Sequence, residues 1–217
     1  MTTVGLDADD VRASYDTIAL SYADEFDDEL SHRPLERALL AALPELAGLD
    51  TSPGLVADLG AGPGHVARHL RADGVAAVAV DLSPAMARVA HHRHQVPAAA
   101  GTLTALPLAD ASLGAAVVLY AVIHLDDEGL GRAAHELARV LRPGGVALVS
   151  LHIGDEVRHV DEWHSHAVDL DFRFLQPDTV RRVLALAGLN VEATLERDPI
   201  PGVEAQTRRA YLLARRP

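Results

Sequence analysis

Between Asp10 and Leu46 apolar side chains recur at spacings of three and four. Val11, Tyr15, Ile18, Ala19 and Tyr22 share one face of "DDVRASYDTIALSYADEF", the period of a helix. A second helical stretch, "RPLERALLAALPEL", has Pro34 in its first turn, where a missing N–H costs nothing. After the break "GLDTSPG" the period changes. Short apolar, partly β-branched runs at 55–59, 75–80, 97–101, 115–120, 146–152, 191–196 and 210–214 read as strands. Helical runs at 64–72, 84–92, 128–141 and 178–187 separate most of them, with Ser83 placed to cap the second and Gly188 closing the last. Strands alternating with helices require right-handed crossovers. The expected fold is therefore α/β and doubly wound, a mostly parallel sheet with helices on both faces. Ligands in such sheets sit beyond the carboxyl ends of the strands, where the strand order reverses.

Composition narrows the picture. A chain of 217 residues, 49% hydrophobic, supports one sizeable core. We divide residues 1–217, as one domain, into helices (1–50), a central part (51–150) and a remainder (151–217). There is no cysteine, hence no disulfide or thiolate chemistry. The excess of 31 acidic over 19 basic residues gives a formal charge of -12, which repels phosphate backbones. The dense basic groups are the pairs Arg181-Arg182, Arg208-Arg209 and Arg215-Arg216, read here as solvated surface. No apolar run approaches the roughly 18 residues of a membrane span, and the start, "MTTVGLDADDVRASY", is acidic where a signal peptide would be basic. The expectation is a cytoplasmic protein acting on a small molecule, with neither nucleic acid nor membrane as partner; its oligomeric state is open.

The chemistry begins at "VADLGAGPGHVARHL". Three glycines, Gly60, Gly62 and Gly64, join a strand to a helix whose first N–H groups are free. The spacing is not the G-x-G-x-x-G of a dinucleotide loop, and Asp58 places an acid beside it, which suits a cationic ligand. At the end of the next strand, in "VAVDLSPAM", Asp81 can accept hydrogen bonds from two ribose hydroxyls. An adenosine with a positively charged, amino-acid-like tail meets both demands. That molecule is S-adenosylmethionine.

Taken in order, "VADLGAGPG", "VDLSPAM", "ALPLADASLGAAVVLYAVIHL" and "ARVLRPGGVALVS" resemble the motifs of the class I S-adenosylmethionine-dependent methyltransferases, over about residues 55–150. The resemblance implies seven strands, the last antiparallel, and a small-molecule acceptor. It implies that Gly60, Ala61 and Gly62 lie against the methionine part, that Asp81 holds the ribose, and that Leu82 and Met86 pack near the adenine; Asp58 beside the loop and Tyr120 at the end of the fourth strand are further candidates for the cofactor site. The acid common after the third strand is missing from "AGTLTALPL", so Thr102, Leu103 or a backbone carbonyl must meet the adenine. Gly114 stands where another acid is common, and is read as structural.

Other residues keep two readings. Tyr15 and Tyr22 either pack on the domain or belong to an N-terminal helical lid over the cofactor. Arg33 is the candidate for the cofactor carboxylate, with Arg37 its rival. His124 either takes a proton from the acceptor, as a catalytic base, or caps the helix that follows. The segment "HIGDEVRHVDEWHSHAVDLDFRFLQPD" reads as a long acceptor-binding loop carrying Glu156, His159, Trp163 and His166. Its histidine spacings do not suit zinc, so no metal is expected. The functional reading is methyl transfer to an oxygen, nitrogen or carbon nucleophile, with specialised metabolism as its expected setting; the alternative is a non-catalytic module that binds the cofactor and acts through a protein partner.

Overall fold

A computed structural model describes residues 8–217; residues 1–7, part of the acidic start, lie outside the described residues. The chain runs α1 (Ala8–Phe26), α2 (Pro34–Leu46), β1 (Leu55–Leu59), α3 (His65–Ala72), β2 (Ala77–Asp81), α4 (Pro84–His94), β3 (Ala98–Ala100), β4 (Leu113–Leu119), α5 (Asp127–Val140) and β5 (Leu141–His152). It continues β6 (Val157–Trp163), β7 (His166–Arg173), α6 (Pro177–Leu186), β8 (Asn190–Arg197) and β9 (Arg209–Arg215). Seven strands form one sheet in the order β3-β2-β1-β4-β5-β9-β8. The strands from β1 to β5 pair parallel, and β9 lies antiparallel to both β5 and β8. This is the doubly wound α/β sheet expected, with its last strand reversed.

The core follows from strand alternation. In β4, Ala116 and Val118 face α5 and α6, where Leu130, Leu137, Val180 and Leu184 are buried. Their neighbours Ala115 and Val117 face α2, α3 and α4, against Leu40, Leu43, Leu70 and Ala90. Small residues in the central strands let the helices approach closely. Gly114 belongs to this packing, since a Cβ there would lie 2.4 Å from Leu49 Cδ2. The strand order reverses between β1 and β4, so the crevice opens at their carboxyl ends.

Two expectations need correction. The strand placed at 146–152 begins at Leu141, because Arg142-Pro143-Gly144-Gly145 is absorbed into β5 through a register shift. The long loop after it is instead an antiparallel hairpin, β6 and β7, separate from the main sheet. His164 and Ser165 close it with φ of 53° and 60°, the left-handed pair that a two-residue hairpin turn needs. Only one face of the hairpin is apolar. Val168 and Leu170 are buried against Val11 and Ile18 of α1, and the other face carries charge.

Candidate active site

Gly60, Gly62 and Gly64 all have positive φ, at 70°, 53° and 80°. Their reasons differ. A Cβ on Gly60 would fall 2.2 Å from Ala121 Cβ, and one on Gly64 2.7 Å from Ala90 Cβ, so these two admit neighbouring elements. Gly62 faces the ring of Tyr22 and lines a cavity of about 900 Å³ at the crevice.

Asp81, at the tip of β2, is buried in the wall of that cavity. Its Oδ2 accepts from Gly62 N at 2.7 Å and its Oδ1 from Ser83 N at 2.8 Å. Each oxygen keeps a lone pair for a further donor. Burial raises the carboxyl to about 6, against the two backbone hydrogen bonds that lower it. Asp58 accepts from Ala67 N at 3.1 Å, and burial lifts it to about 7 although nearby His65 pulls the other way. Two buried acids beside an open turn favour a ligand that brings hydroxyl donors and a positive charge. Met86 and Leu82 line the same wall, with Thr102 and Leu103 following β3. Ser83 does cap α4, accepting from Met86 N at 3.0 Å.

The N-terminal helices close over this wall. Asp16 accepts from Ser83 Oγ at 2.6 Å and from Ala85 N at 2.9 Å, tying α1 to α4. On its other side Ser14 Oγ receives Asp169 N at 2.8 Å, and His164 Nε2 lies 2.8 Å from Glu25, tying α1 to the hairpin. Tyr15 and Tyr22 meet edge to face at 5.9 Å and both line the cavity. Arg33 lines it too, 8% exposed, with Nη2 2.5 Å from Glu29 and Nε without a hydrogen-bond partner. Arg37 instead donates to the carbonyls of Leu30 and Ser31 and is absent from the cavity wall.

His124 lies just after β4. Its Nδ1 is 2.9 Å from the carbonyl of Asp171, so Nδ1 carries the proton and donates. The other nitrogen, Nε2, then accepts from Tyr15 Oη at 2.8 Å. Burial, opposed by the Asp171 contact, lowers the imidazole to about 4. The capping alternative falls away, because Asp126 caps α5 by accepting from Gly129 N at 2.7 Å.

Every cofactor residue named from the sequence, from Tyr15 to Tyr120, stands in this one cavity. The acceptor set divides. His124 and Trp163 line it; Glu156, His159 and His166 are exposed outside it. The cause is the strand period of two, which turns Arg158 and Val160 inward and His159 out to Asp171, 2.9 Å away, before a register shift between Val160 and Glu162 brings Trp163 to the cavity side. The sequence reading also missed Glu29, Glu36, His65, Glu204, Thr207 and Arg209 in the wall. Arg209 is 2% exposed, not solvated surface. Its neighbour Arg208 points outward from the strand, and the shared face of Arg209 and Tyr211, two apart on β9, was the available signal. The cluster His91–His94 is likewise divided: His91 and His92 are exposed, whereas the His94 side chain is buried against Asp27.

Comparison with known proteins decides the family. Residues 56–145 match the family described as "Methyltransferase domain". The malonyl-[acyl-carrier protein] O-methyltransferase of Pseudescherichia vulneris is 36% identical over 81% of this chain and 67% of its own length. That of Enterobacter lignolyticus is 32% identical over 92% of this chain and 76% of its own length. The chain belongs to the class I S-adenosylmethionine-dependent methyltransferases. The fold agrees: 1,6-didemethyltoxoflavin-N1-methyltransferase from Burkholderia thailandensis superposes with TM-score 0.72 at 22% identity, covering 96% of this methyltransferase and 88% of that chain. The cofactor of this chain is S-adenosylmethionine, and the chemistry of the cavity fits: paired lone pairs on Asp81, a carboxylate at Asp58 and the Nε of Arg33, which makes no hydrogen bond and has Glu204 3.6 Å away. No helix among the described residues is long and apolar enough to cross a membrane.

Proposed function

We propose that this methyltransferase passes the methyl group of S-adenosylmethionine to a small molecule bound between the lid, the hairpin and the start of β9. One observation carries the reading: the same cavity extends from Gly62 and Asp81 to the side chains of His124, His152, Phe172, Phe174 and Arg209. At about 900 Å³ it stands near the upper end of ligand sites, with room for two partners. Asp81 would hold the ribose, Thr102 and Leu103 the adenine, and Arg33, through Nε, the carboxylate. Relatives named for methylating a malonyl group on a carrier support a compact acceptor.

The bound sulfonium supplies an activated methyl group, so the protein's task is alignment and exclusion of water. Tyr15 and Tyr22 under the lid serve both. Tyr15 Oη donates its hydrogen bond to His124 Nε2, which leaves the oxygen lone pairs for the cavity. A proton leaving the acceptor would travel through Tyr15 Oη to Nε2, because that nitrogen is already engaged. An imidazole held near 4 is a weak base, so positioning contributes most.

The test is incubation with methyl-labelled cofactor and a panel of phenols, amines and carboxylic acids, with detection of labelled product. We expect label in at least one acceptor class. A protein that binds the labelled cofactor yet labels nothing across the panel contradicts catalysis and supports a binding module.

A further inference from the structure

We propose that Arg209 is the acceptor-recognition residue and that the acceptor is a planar carboxylic acid, its carboxylate seated against Arg209 and its flat body along Tyr120, His152 and Phe174. The proposal rests on the methyl-transfer reading and adds the substrate class.

Arg209 begins β9 opposite His152 of β5, at the end of the cavity away from the glycine turn. Its Nη1 donates to the carbonyls of Ala205 and Thr207, at 3.0 and 2.9 Å, and lies 3.2 Å from Glu204. Its Nε has no hydrogen-bond partner although the side chain is 2% exposed. A buried guanidinium donor left unpaired is costly, and a bound oxyanion removes that cost.

The surrounding charges favour the same ligand. Arg197 spans both acids of this end: Nη2 lies 2.7 Å from Glu36 and 3.0 Å from Glu204, and Nη1 also meets Glu204. Glu29 is paired to Arg33, and Glu204 sits among the guanidinium groups of Arg33, Arg197 and Arg209. The local field is positive at His152, where burial first and then Arg209 and Arg33 lower the imidazole to about 4. His152 is neutral in consequence, with Nδ1 held by Thr207 Oγ1 at 2.7 Å.

The flat body follows from the rings. His152 stacks on Tyr120 at 4.9 Å and on Phe174 at 5.5 Å, with interplanar angles of 28° and 29°. Arg209 lies over Tyr120 at 5.5 Å and Arg158 over Phe174 at 5.3 Å, so cations sit at both ends of the stack. A conjugated acid matches an arrangement of π faces ended by cations.

Calorimetry on protein saturated with S-adenosylhomocysteine tests this with benzoate, salicylate, their amides, and the non-planar cyclohexanecarboxylate. The acids should bind at least tenfold tighter than the amides, and the planar acids tighter than cyclohexanecarboxylate. Arg209→Gln should abolish the preference for acid over amide while S-adenosylhomocysteine affinity stays within about twofold, and Arg209→Lys should recover part of it. Amides binding as well as acids, no binding of either, or a preference surviving in Arg209→Gln overturns the proposal. The wild-type comparison stands even if the variants do not fold. Failure to bind S-adenosylhomocysteine in the first place would instead count against the methyl-transfer reading.

Discussion

Individual side chains in this site are set by what their second partner already takes. His124 looks like a free base in sequence, but the Asp171 carbonyl fixes its tautomer and Tyr15 occupies its remaining nitrogen. Tyr15 and His124 therefore act as one unit. His124→Ala and Tyr15→Phe should each lower kcat by a similar factor, on the order of 10²-fold if a proton must leave the acceptor, and the double variant should lose little more. Steady-state kinetics on the three variants checks this; losses that multiply would separate the residues. The imidazole, held near 4 by burial, is neutral throughout the physiological range. The kcat profile should accordingly show no limb near pH 6.5 that disappears in His124→Ala, and such a limb would place the lone pair of His124 in direct contact with the acceptor.

At the scale of elements, the turn between β1 and α3 depends on Gly60 as much for packing as for ligand approach. Gly60→Ala brings a Cβ to 2.2 Å from Ala121 at a φ of 70°, and should destabilise the fold by about 1–3 kcal/mol in denaturant unfolding. An unchanged midpoint would contradict this packing role. The lid and the hairpin are joined through Ser14 and Asp169 and through Glu25 and His164. Hydrogen exchange should then show α1 and residues 157–173 gaining protection together when S-adenosylhomocysteine binds; protection confined to residues after Leu55 would leave α1 as packing only. The main sheet was legible because its strands and helices carry strong, uniform periods and its loops carry Asp58, the glycines and Asp81. The hairpin was not. Its alternation is one-sided, with charges at Arg158, Asp161, Glu162, Asp169 and Asp171, and its turn uses His164 and Ser165 in place of the usual Asn-Gly. Arg209 was hidden for a related reason: a doubled arginine reads as surface, and only its place two residues before Tyr211 on one strand face marks the member turned inward.

Across the whole molecule, two buried acids and two partly buried histidines oppose each other in pH. His124 and His152, lowered to about 4, contribute stability above the ordinary histidine range that is lost as pH falls through it. Asp58 and Asp81, raised to about 7 and 6, do the reverse: their ionisation costs folding energy as pH rises above about 4. Ribose hydroxyls and a cationic tail favour the ionised acids. Affinity for the cofactor should therefore rise with pH through 6 to 7, falling below that by up to about tenfold per pH unit for each acid, with protons released on binding. Calorimetry in buffers of different ionisation enthalpy reads that release, and pH-independent affinity with no proton release would contradict the acids' part in binding. The most direct test of the central claim, that this cavity holds S-adenosylmethionine by its ribose at Asp81, is titration of S-adenosylhomocysteine into the wild type and into folded Asp81→Ala at pH 7.5. Saturable one-to-one binding should weaken by about ten- to hundredfold in the variant, the loss of a charge-assisted hydrogen bond. No saturable binding to the wild type, or equal affinity in the two proteins, would contradict it.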